Sequence, residues 1–128
     1  MKRKKKQIKK YKETPWFLKD TPIHETNNVA VFKDNHPVSI GHLLFIPKSR
    51  SMEKLLESYR LAYTWGSSWM SDGTIDAFNI GQNSGEAAGQ SVMWPHIHFI
   101  PRELGDCPKG SKNGVRLSHP RGNQFNER

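Results

Sequence analysis

The sequence predicts an α+β domain, in which short strands and one amphipathic helix follow one another along a single chain. Three stretches with the composition of strands, bounded by turn residues, lie at 29–32, 42–46 and 76–80. Between the second and third, apolar side chains recur at three- and four-residue steps, which is typical of one face of a helix. The resulting order of strand, turn, strand, helix, strand, loop and strand fits an α+β fold.

The predicted helix begins after Ser51, whose side chain is a good N-cap. Its apolar positions are Met52, Leu55, Leu56, Tyr59, Ala62 and Tyr63. Gly66 is expected to weaken or end the helix, with Trp69 as its furthest limit, because glycine lowers helix propensity. A helix of this kind buries its apolar face against the sheet.

The most informative stretch is 90–102, which contains two histidines in a strand-like pattern. Side chains of a strand alternate between its faces, which places Trp94, His96 and His98 on one face and Pro95, Ile97 and Phe99 on the other. Imidazole is the side chain that titrates near neutrality. Two such groups at i and i+2 indicate a metal pair, a nucleophile beside a partner, or chance among the six histidines.

Size and composition restrict the class of protein. The 128 residues suffice for one domain with a small core, since 34% of them are hydrophobic. No apolar run approaches the roughly 20 residues that a membrane span requires, and no apolar stretch follows the basic N-terminus as in a secretory signal. The single cysteine, Cys107, excludes an internal disulfide and a four-cysteine zinc site. We therefore expect a cytoplasmic protein without membrane contact.

The positive charge is concentrated at the N-terminus. The formal net charge is +8, and residues 2–10 hold seven lysines or arginines and no acid, so the rest of the chain is nearly neutral. We expect a disordered basic arm at 1–12, a domain at 13–117 and a C-terminal tail at 118–128. The arm is interpreted as a solubilising tail or as a weak contact to nucleic acid through residues 2–10, since such charge attracts polyphosphates.

Two blocks of sequence resemble the histidine-triad family of nucleotide hydrolases and transferases. The first is 34–48, with a proline, then Gly41-His42, an apolar strand and Pro47-Lys48. The second is 83–106, with Gly89-Gln90-Ser91, the histidine strand and Pro101-Arg102. In the register that both blocks give, Trp94 stands at the first triad position, His96 at the second and His98 at the third. The family's first histidine is thus replaced by tryptophan.

This resemblance implies a fold and an activity. The fold is an antiparallel sheet of about five strands with one long and one short helix, paired into a homodimer. The activity is attack by His96 on the α-phosphate of a purine nucleotide substrate: a nucleoside phosphoramidate, a dinucleoside polyphosphate or an adenylated conjugate. Water then cleaves the nucleotidyl-histidine intermediate, and no cofactor or metal takes part.

The resemblance also implies the site residues. The catalytic residues are His96, His98 and His42, and the nucleotide-binding residues are Asp34, Asn83, Gly89, Gln90 and Ser91, with Asp34 accepting bonds from the ribose hydroxyls. Two alternatives remain open at this point. In the first alternative, the protein is a nucleotide- or nucleic-acid-binding relative with weak catalysis, because Trp94 in place of the first histidine removes a proton donor. Otherwise His96, His98 and His42 bind zinc, as histidine pairs can.

Overall fold

The computed structural model describes residues 5–111 and 113–124, without the side chains of 123 and 124. Residues 1–4 of the predicted arm and 125–128 of the predicted tail lie outside the described residues. Among the described helices, none combines the length and the apolar character needed to cross a membrane. The predicted homodimer and the cytoplasmic location stay predictions.

Five strands form one antiparallel sheet, as predicted. Their bounds are β1 His24–Glu25, β2 Val29–Lys33, β3 Leu43–Pro47, β4 Ala77–Gly81 and β5 Ile97–Arg102. The order across the sheet is β1-β2-β3-β5-β4. The histidine strand β5 therefore lies inside the sheet, between β3 and the edge strand β4, and Leu44 pairs with His98 in the β3–β5 ladder.

The structure contains a short and a long α-helix, together with short 3-10 helices. These elements are α1 Pro15–Lys19, α2 Met52–Ser71 and the 3-10 helices Tyr11–Glu13, Glu86–Ala88, Val115–Ser118 and Pro120–Gln124. Helix α2 begins where predicted, because the Ser51 side chain accepts a bond from the backbone N–H of Lys54 (3.2 Å). Helix α1 is capped by Thr14, and Pro15 occupies its first turn.

The sheet is covered on both faces. One face packs against α2 through a cluster formed by Val29, Val31, Leu43, Phe45, Ala62, Ile75, Ile97 and Phe99. The opposite cluster consists of Ile8, Tyr11, Trp16, Ala30, Phe32, Leu44, Ile46 and Trp94. Alternation along β2 and β3 supplies both clusters from the same strands, since successive side chains point to opposite faces, while β5 adds Ile97 and Phe99 to the first cluster.

The N-terminal segment is part of the second cluster. Ile8 and Tyr11 are buried there, and Lys5 donates through Nζ to the backbone oxygen of Gln90 (3.0 Å). Residues 5–12 thus have a defined place against the domain, whereas a disordered arm was predicted there. The sequence pattern did not predict this packing, because residues 2–10 contain seven Lys or Arg and a single apolar residue, Ile8.

Gly66 does not end α2, which continues for five residues beyond it. It is buried, and a Cβ added there would lie 2.5 Å from the Phe78 ring of β4. Glycine at this position therefore permits close packing between the helix and the sheet. Its cost in helix propensity is accepted because the packing outweighs it.

The variant Gly66→Ala is expected to lower the free energy of unfolding by about 1 kcal/mol. Overpacking against Phe78 costs roughly 1–3 kcal/mol, and the gain in helix propensity of about 1 kcal/mol offsets only part of that. Urea unfolding followed by circular dichroism measures the change. Ser68→Ala, at an exposed position of the same helix, reports the propensity gain alone. A Gly66→Ala protein that is stabilised like Ser68→Ala would contradict the packing argument.

Candidate functional site

The site lies where the start of β3 meets the start of β5. His98 is on β5, His96 directly precedes that strand, and His42 directly precedes β3. The ring centroids of His42 and His98 are 5.2 Å apart, and those of His96 and His98 are 5.3 Å apart. The antiparallel pairing of the two strands thus gathers the three predicted catalytic histidines into one group.

The hydrogen bond of His96 determines its tautomer. Nδ1 lies 2.7 Å from the backbone oxygen of Trp94, which can only accept, so Nδ1 carries the proton and Nε2 keeps its lone pair. Burial lowers the pKa of His96, the Trp94 carbonyl opposes this shift, and nearby His98 adds to it. The imidazole is therefore neutral at pH 7, which is the state required of a nucleophile.

His42 and His98 form a second, ordered set of hydrogen bonds. The backbone N–H of Val38 donates to Nδ1 of His42 (3.1 Å), so the proton of neutral His42 is on Nε2. The Nε2 atom of His42 lies 3.0 Å from Nδ1 of His98 and 3.3 Å from Oδ2 of Asp34. When Nδ1 of His98 accepts this hydrogen bond, the ring proton of neutral His98 is on Nε2. His98 thereby becomes a hydrogen-bond donor.

Burial lowers the pKa of both His42 and His98, with His42 also lowering that of His98 and Asp34 opposing both shifts. The 3.3 Å approach of Asp34 Oδ2 to His42 Nε2 is thus a contact with a neutral imidazole rather than an ion pair with a charged one. Because each histidine in this set is neutral, the donor and acceptor roles derived from the backbone contacts hold at pH 7.

Asp34 lies inside this network rather than at its edge. Its Oδ1 accepts the backbone N–H of His36 (2.8 Å), which is the turn role that Asp often takes, and its Oδ2 faces His42. Each carboxylate oxygen can accept further bonds. Binding of ribose hydroxyls by Asp34 stays a prediction.

A cavity of about 690 Å³ adjoins the histidines. His42, His98 and Asn83 line it among the predicted site residues, together with Val38, Ser39, Asn79, Ile80, Gly81, Gln82, Ile100, Arg102, Asp106, Cys107, Asn113, Gly114, Val115, Leu117 and Ser118. Arg102 makes a bidentate pair with Asp106 (2.9 and 2.8 Å) and donates to the Asn79 side chain. This cavity is large enough for part of a nucleotide or its leaving group.

The loop that contains the predicted nucleotide-binding residues Gly89, Gln90 and Ser91 does not line that cavity. Gly89 has a φ of +94°, which favours glycine, while Ser91 is exposed. The Gln90 side chain is buried; its Oε1 accepts the backbone N–H of Gly85 (2.8 Å) and its Nε2 donates to the backbone oxygen of Val92 (3.0 Å). Gln90 is thus occupied in holding the loop, and direct nucleotide contacts by Gly89, Gln90 and Ser91 stay predictions.

Trp16 and Arg50 are two neighbours of the site that the sequence pattern did not reveal. The Trp16 ring lies 4.8 Å from the His96 ring and covers it, so His96 is 5% exposed. Arg50 donates to the backbone oxygen of Met93 (2.7 Å), next to the carbonyl that binds His96. Both residues lie far from the histidine strand in sequence, and neither belongs to the motifs that carry the resemblance.

Trp94 is directed into the core rather than towards the cavity. It is 1% exposed, and its indole N–H donates to the backbone oxygen of Pro47 (2.9 Å). The Arg50 guanidinium lies 4.8 Å from the centre of its ring, which is a cation–π contact. The indole therefore packs with the second core cluster, and the part of Trp94 that serves the site is its carbonyl.

The predicted zinc alternative depends on the donor atoms available. The predicted ligands were His96, His98 and His42, whereas among the described residues the donor atoms that lie within 4.8 Å of one another, close enough for one ion, are those of Asp34, His42 and His98. However, the Val38 N–H occupies Nδ1 of His42, so the proton is on the Nε2 atom that would have to bind the metal. Metal binding there would leave His42 without any ring proton. The contacts fit a hydrogen-bond network better than a metal centre.

Comparison with known proteins gives concordant matches. A family model described as the HIT domain matches residues 18–105. The adenylylsulfatase HINT3 of Arabidopsis thaliana is 34% identical over 103 residues, which are 75% of this chain and 52% of that protein, so this chain spans about half the length of that relative. A Zn-bound histidine triad family protein from Mycobacterium smegmatis has a TM-score of 0.62 at 27% identity, covering 76% of each chain. A diadenosine triphosphate hydrolase from Plasmodium falciparum has a TM-score of 0.57 at 26% identity, covering 64% of this chain and 60% of that one.

These matches agree with the five-stranded antiparallel sheet and the main helix described above. The matched range contains His42, His96 and His98, together with both strands that bring them together. More than half of the chain lies within it. The chain therefore belongs to the HIT domain family.

Proposed function

We propose that the protein is a nucleotide hydrolase or transferase that acts through a nucleotidyl-histidine intermediate on His96. The observation that carries this proposal is the 2.7 Å contact between Nδ1 of His96 and the Trp94 carbonyl. It leaves the Nε2 lone pair available on an imidazole whose pKa burial lowers. A neutral, oriented imidazole of this kind is a good nucleophile towards phosphorus at pH 7.

In the proposed reaction, Nε2 of His96 attacks the α-phosphorus of the nucleotide. The P–N bond forms as the bond to the leaving group breaks, and the leaving group departs with the electron pair. Nε2–H of His98 is suited to stabilise the charge on the phosphoryl oxygens, with Asn83 as a further donor at the same cavity. In hydrolysis, water then attacks the phosphorus and returns His96 to its starting state.

The proposed substrate is a purine nucleotide whose α-phosphate carries a second group, as in a nucleoside phosphoramidate, a dinucleoside polyphosphate or an adenylated conjugate. Two relatives, named an adenylylsulfatase and a diadenosine triphosphate hydrolase, support adenosine as the nucleoside. The cavity beside His98 supports a sizeable second group. Asp34, close to the same histidines, is our candidate for the ribose contact.

Trp94 takes the first triad position in this proposal. Its indole N–H is used by Pro47, so it does not supply a proton to the leaving group. His98, whose ring centroid lies 5.3 Å from that of His96 and which accepts from His42, is our candidate for supplying a proton instead. We therefore propose that the tryptophan removes a general acid without removing the nucleophile, and that turnover persists at a reduced rate.

The test is mass spectrometry of the intact protein after brief incubation with adenosine phosphoramidate or diadenosine polyphosphate, quenched at alkaline pH. We expect an added nucleotidyl group on the wild type, located at His96 by fragmentation, and none on His96→Ala. Product formation with an adduct at another residue, or with His96→Ala fully active, would contradict the mechanism. Nucleotide binding without product or adduct would instead favour the second candidate function.

That second candidate is a nucleotide- or nucleic-acid-binding protein with little turnover. One observation that favours it is the Trp16 ring that covers His96. The other is the contact of Lys5 with Gln90, which brings the basic N-terminal segment to the loop of predicted nucleotide-binding residues at 89–91. This candidate predicts nucleic-acid binding that weakens steeply as salt increases. Titration of an oligonucleotide at several salt concentrations, with and without residues 1–9, distinguishes it. Equal affinity of both forms would exclude a role for the segment.

A further inference from the structure

The backbone that orients His96 lies outside the sheet. The β3–β5 ladder begins with the pair Phe45 and Ile97, so the bend at 92–95 has no partner strand. Nevertheless this bend contains the Trp94 carbonyl, which determines the tautomer of His96. Backbone without ladder bonds must be held by other groups if a carbonyl is to keep its position.

The Trp94 indole ties this bend to β3 through the backbone oxygen of Pro47 (2.9 Å), and side chains from two other segments hold it as well. From the loop before it, Gln90 Nε2 donates to the backbone oxygen of Val92 at 3.0 Å and reaches that of Trp94 at 3.5 Å. From the segment after β3, Arg50 Nη2 donates to the backbone oxygen of Met93 at 2.7 Å. The guanidinium group also stacks on the Trp94 ring. Arg50 thus contacts Trp94, whose carbonyl binds His96, and also Met93, the residue before it.

The same guanidinium joins the N-terminal segment to the bend. Arg50 Nη2 donates to the backbone oxygen of Ile8 at 2.6 Å, while Ile8 is buried beside Trp94 in the second core cluster. Hydrogen bonds from a charged donor are stronger than neutral ones, and the planar guanidinium can bind carbonyls and stack on an aromatic ring at once. One side chain therefore connects three separate parts of the chain beside the proposed nucleophile.

We infer that Arg50 is a positioning residue for His96, acting through the bend at 92–95. Removing it leaves the Met93 carbonyl without its charged donor and the Trp94 ring without its cation–π contact, so the Trp94 carbonyl is held less firmly in position. His96 then samples the tautomer with the proton on Nε2, which has no lone pair for attack. This inference rests on the proposed function for its kinetic consequence, whereas its consequence for the tautomer does not.

The experiment compares wild type with Arg50→Ala, Arg50→Lys and the control Arg60→Ala, which removes an exposed arginine from α2. Nitrogen-15 NMR of the histidine rings reports the His96 tautomer. We expect the Nδ1–H form in wild type and in Arg60→Ala, and a clear fraction of the Nε2–H form in Arg50→Ala. Arg50→Lys keeps a cation near the carbonyls but cannot stack as a plane, so it is expected to lie between them. It also provides a folded variant if Arg50→Ala unfolds.

Kinetics with an adenosine phosphoramidate give the second measurement. We expect Arg50→Ala to lower kcat by about tenfold or more with a much smaller change in KM, since misplacement by a fraction of an ångström costs rate rather than binding. A variant that melts earlier but keeps the wild-type tautomer and kcat would overturn the inference and leave Arg50 a structural residue. If wild type itself shows no turnover, the proposed function fails, while the NMR comparison still decides the role of Arg50.

Discussion

Replacing His96 with asparagine is expected to reduce kcat by a factor on the order of 10⁴ or more, because the nucleophile is lost. The asparagine amide can still donate to the Trp94 carbonyl in place of Nδ1, so the local backbone is expected to keep its conformation. Nucleotide affinity should change by less than about threefold, since the lost group acts in the transition state rather than in ground-state binding. Steady-state kinetics and calorimetric titration measure the two quantities.

The matched control is His36→Asn, which changes an exposed histidine outside the histidine group. It is expected to retain the wild-type kcat and affinity. A His96→Asn protein that retained a substantial part of the wild-type kcat would exclude nucleophilic catalysis at this residue. Loss of affinity together with activity would indicate that His96 contributes mainly to binding.

Replacing Trp94 with alanine is expected to lower the free energy of unfolding by about 3–5 kcal/mol. The indole is fully buried in the second core cluster, and its removal leaves a cavity and an unpaired Pro47 carbonyl. Because domains of this size have a total stability of roughly 5–15 kcal/mol, the variant is expected to be near its unfolding limit. Urea denaturation at fixed pH measures the loss.

Trp94→Phe separates the two contributions. It keeps an aromatic ring for Arg50 but removes the bond to Pro47, so we expect a smaller loss of about 1–2 kcal/mol. If Trp94→Ala lost less than Trp94→Phe, the indole would not be part of the core. This result would also reopen the possibility that the side chain faces the substrate.

Local patterns were sufficient to predict much of the fold. The cap at Ser51 and the apolar spacing that follows it predicted where α2 begins, because both act within one or two helical turns. The end of α2 was not predictable, since the reason for Gly66 is the ring of Phe78, a neighbour on another element. The buried position of Ile8 was missed for the same reason, as its partners are distant in sequence.

At the site, strand alternation predicted correctly that Ile97 and Phe99 face the core beneath α2. It also grouped His96 with His98, whose rings are neighbours in the structure. Alternation could not show that the ladder begins only at Ile97, nor that the carbonyl of Trp94 orients His96. Periodicity describes where side chains point, whereas this contact depends on the path of a bend.

The sequence by itself determined the α+β class, the close placement of His96 and His98 and the resemblance to a family, because these depend on near neighbours and on order along the chain. The tertiary structure decided the tautomers, the placement of Trp94 in the core and the links from Arg50 to three segments. The last two features bring groups 42 to 47 residues apart in sequence to hydrogen-bond distance, whereas the tautomers depend on the path of the backbone beside each ring. Only the folded chain brings them together.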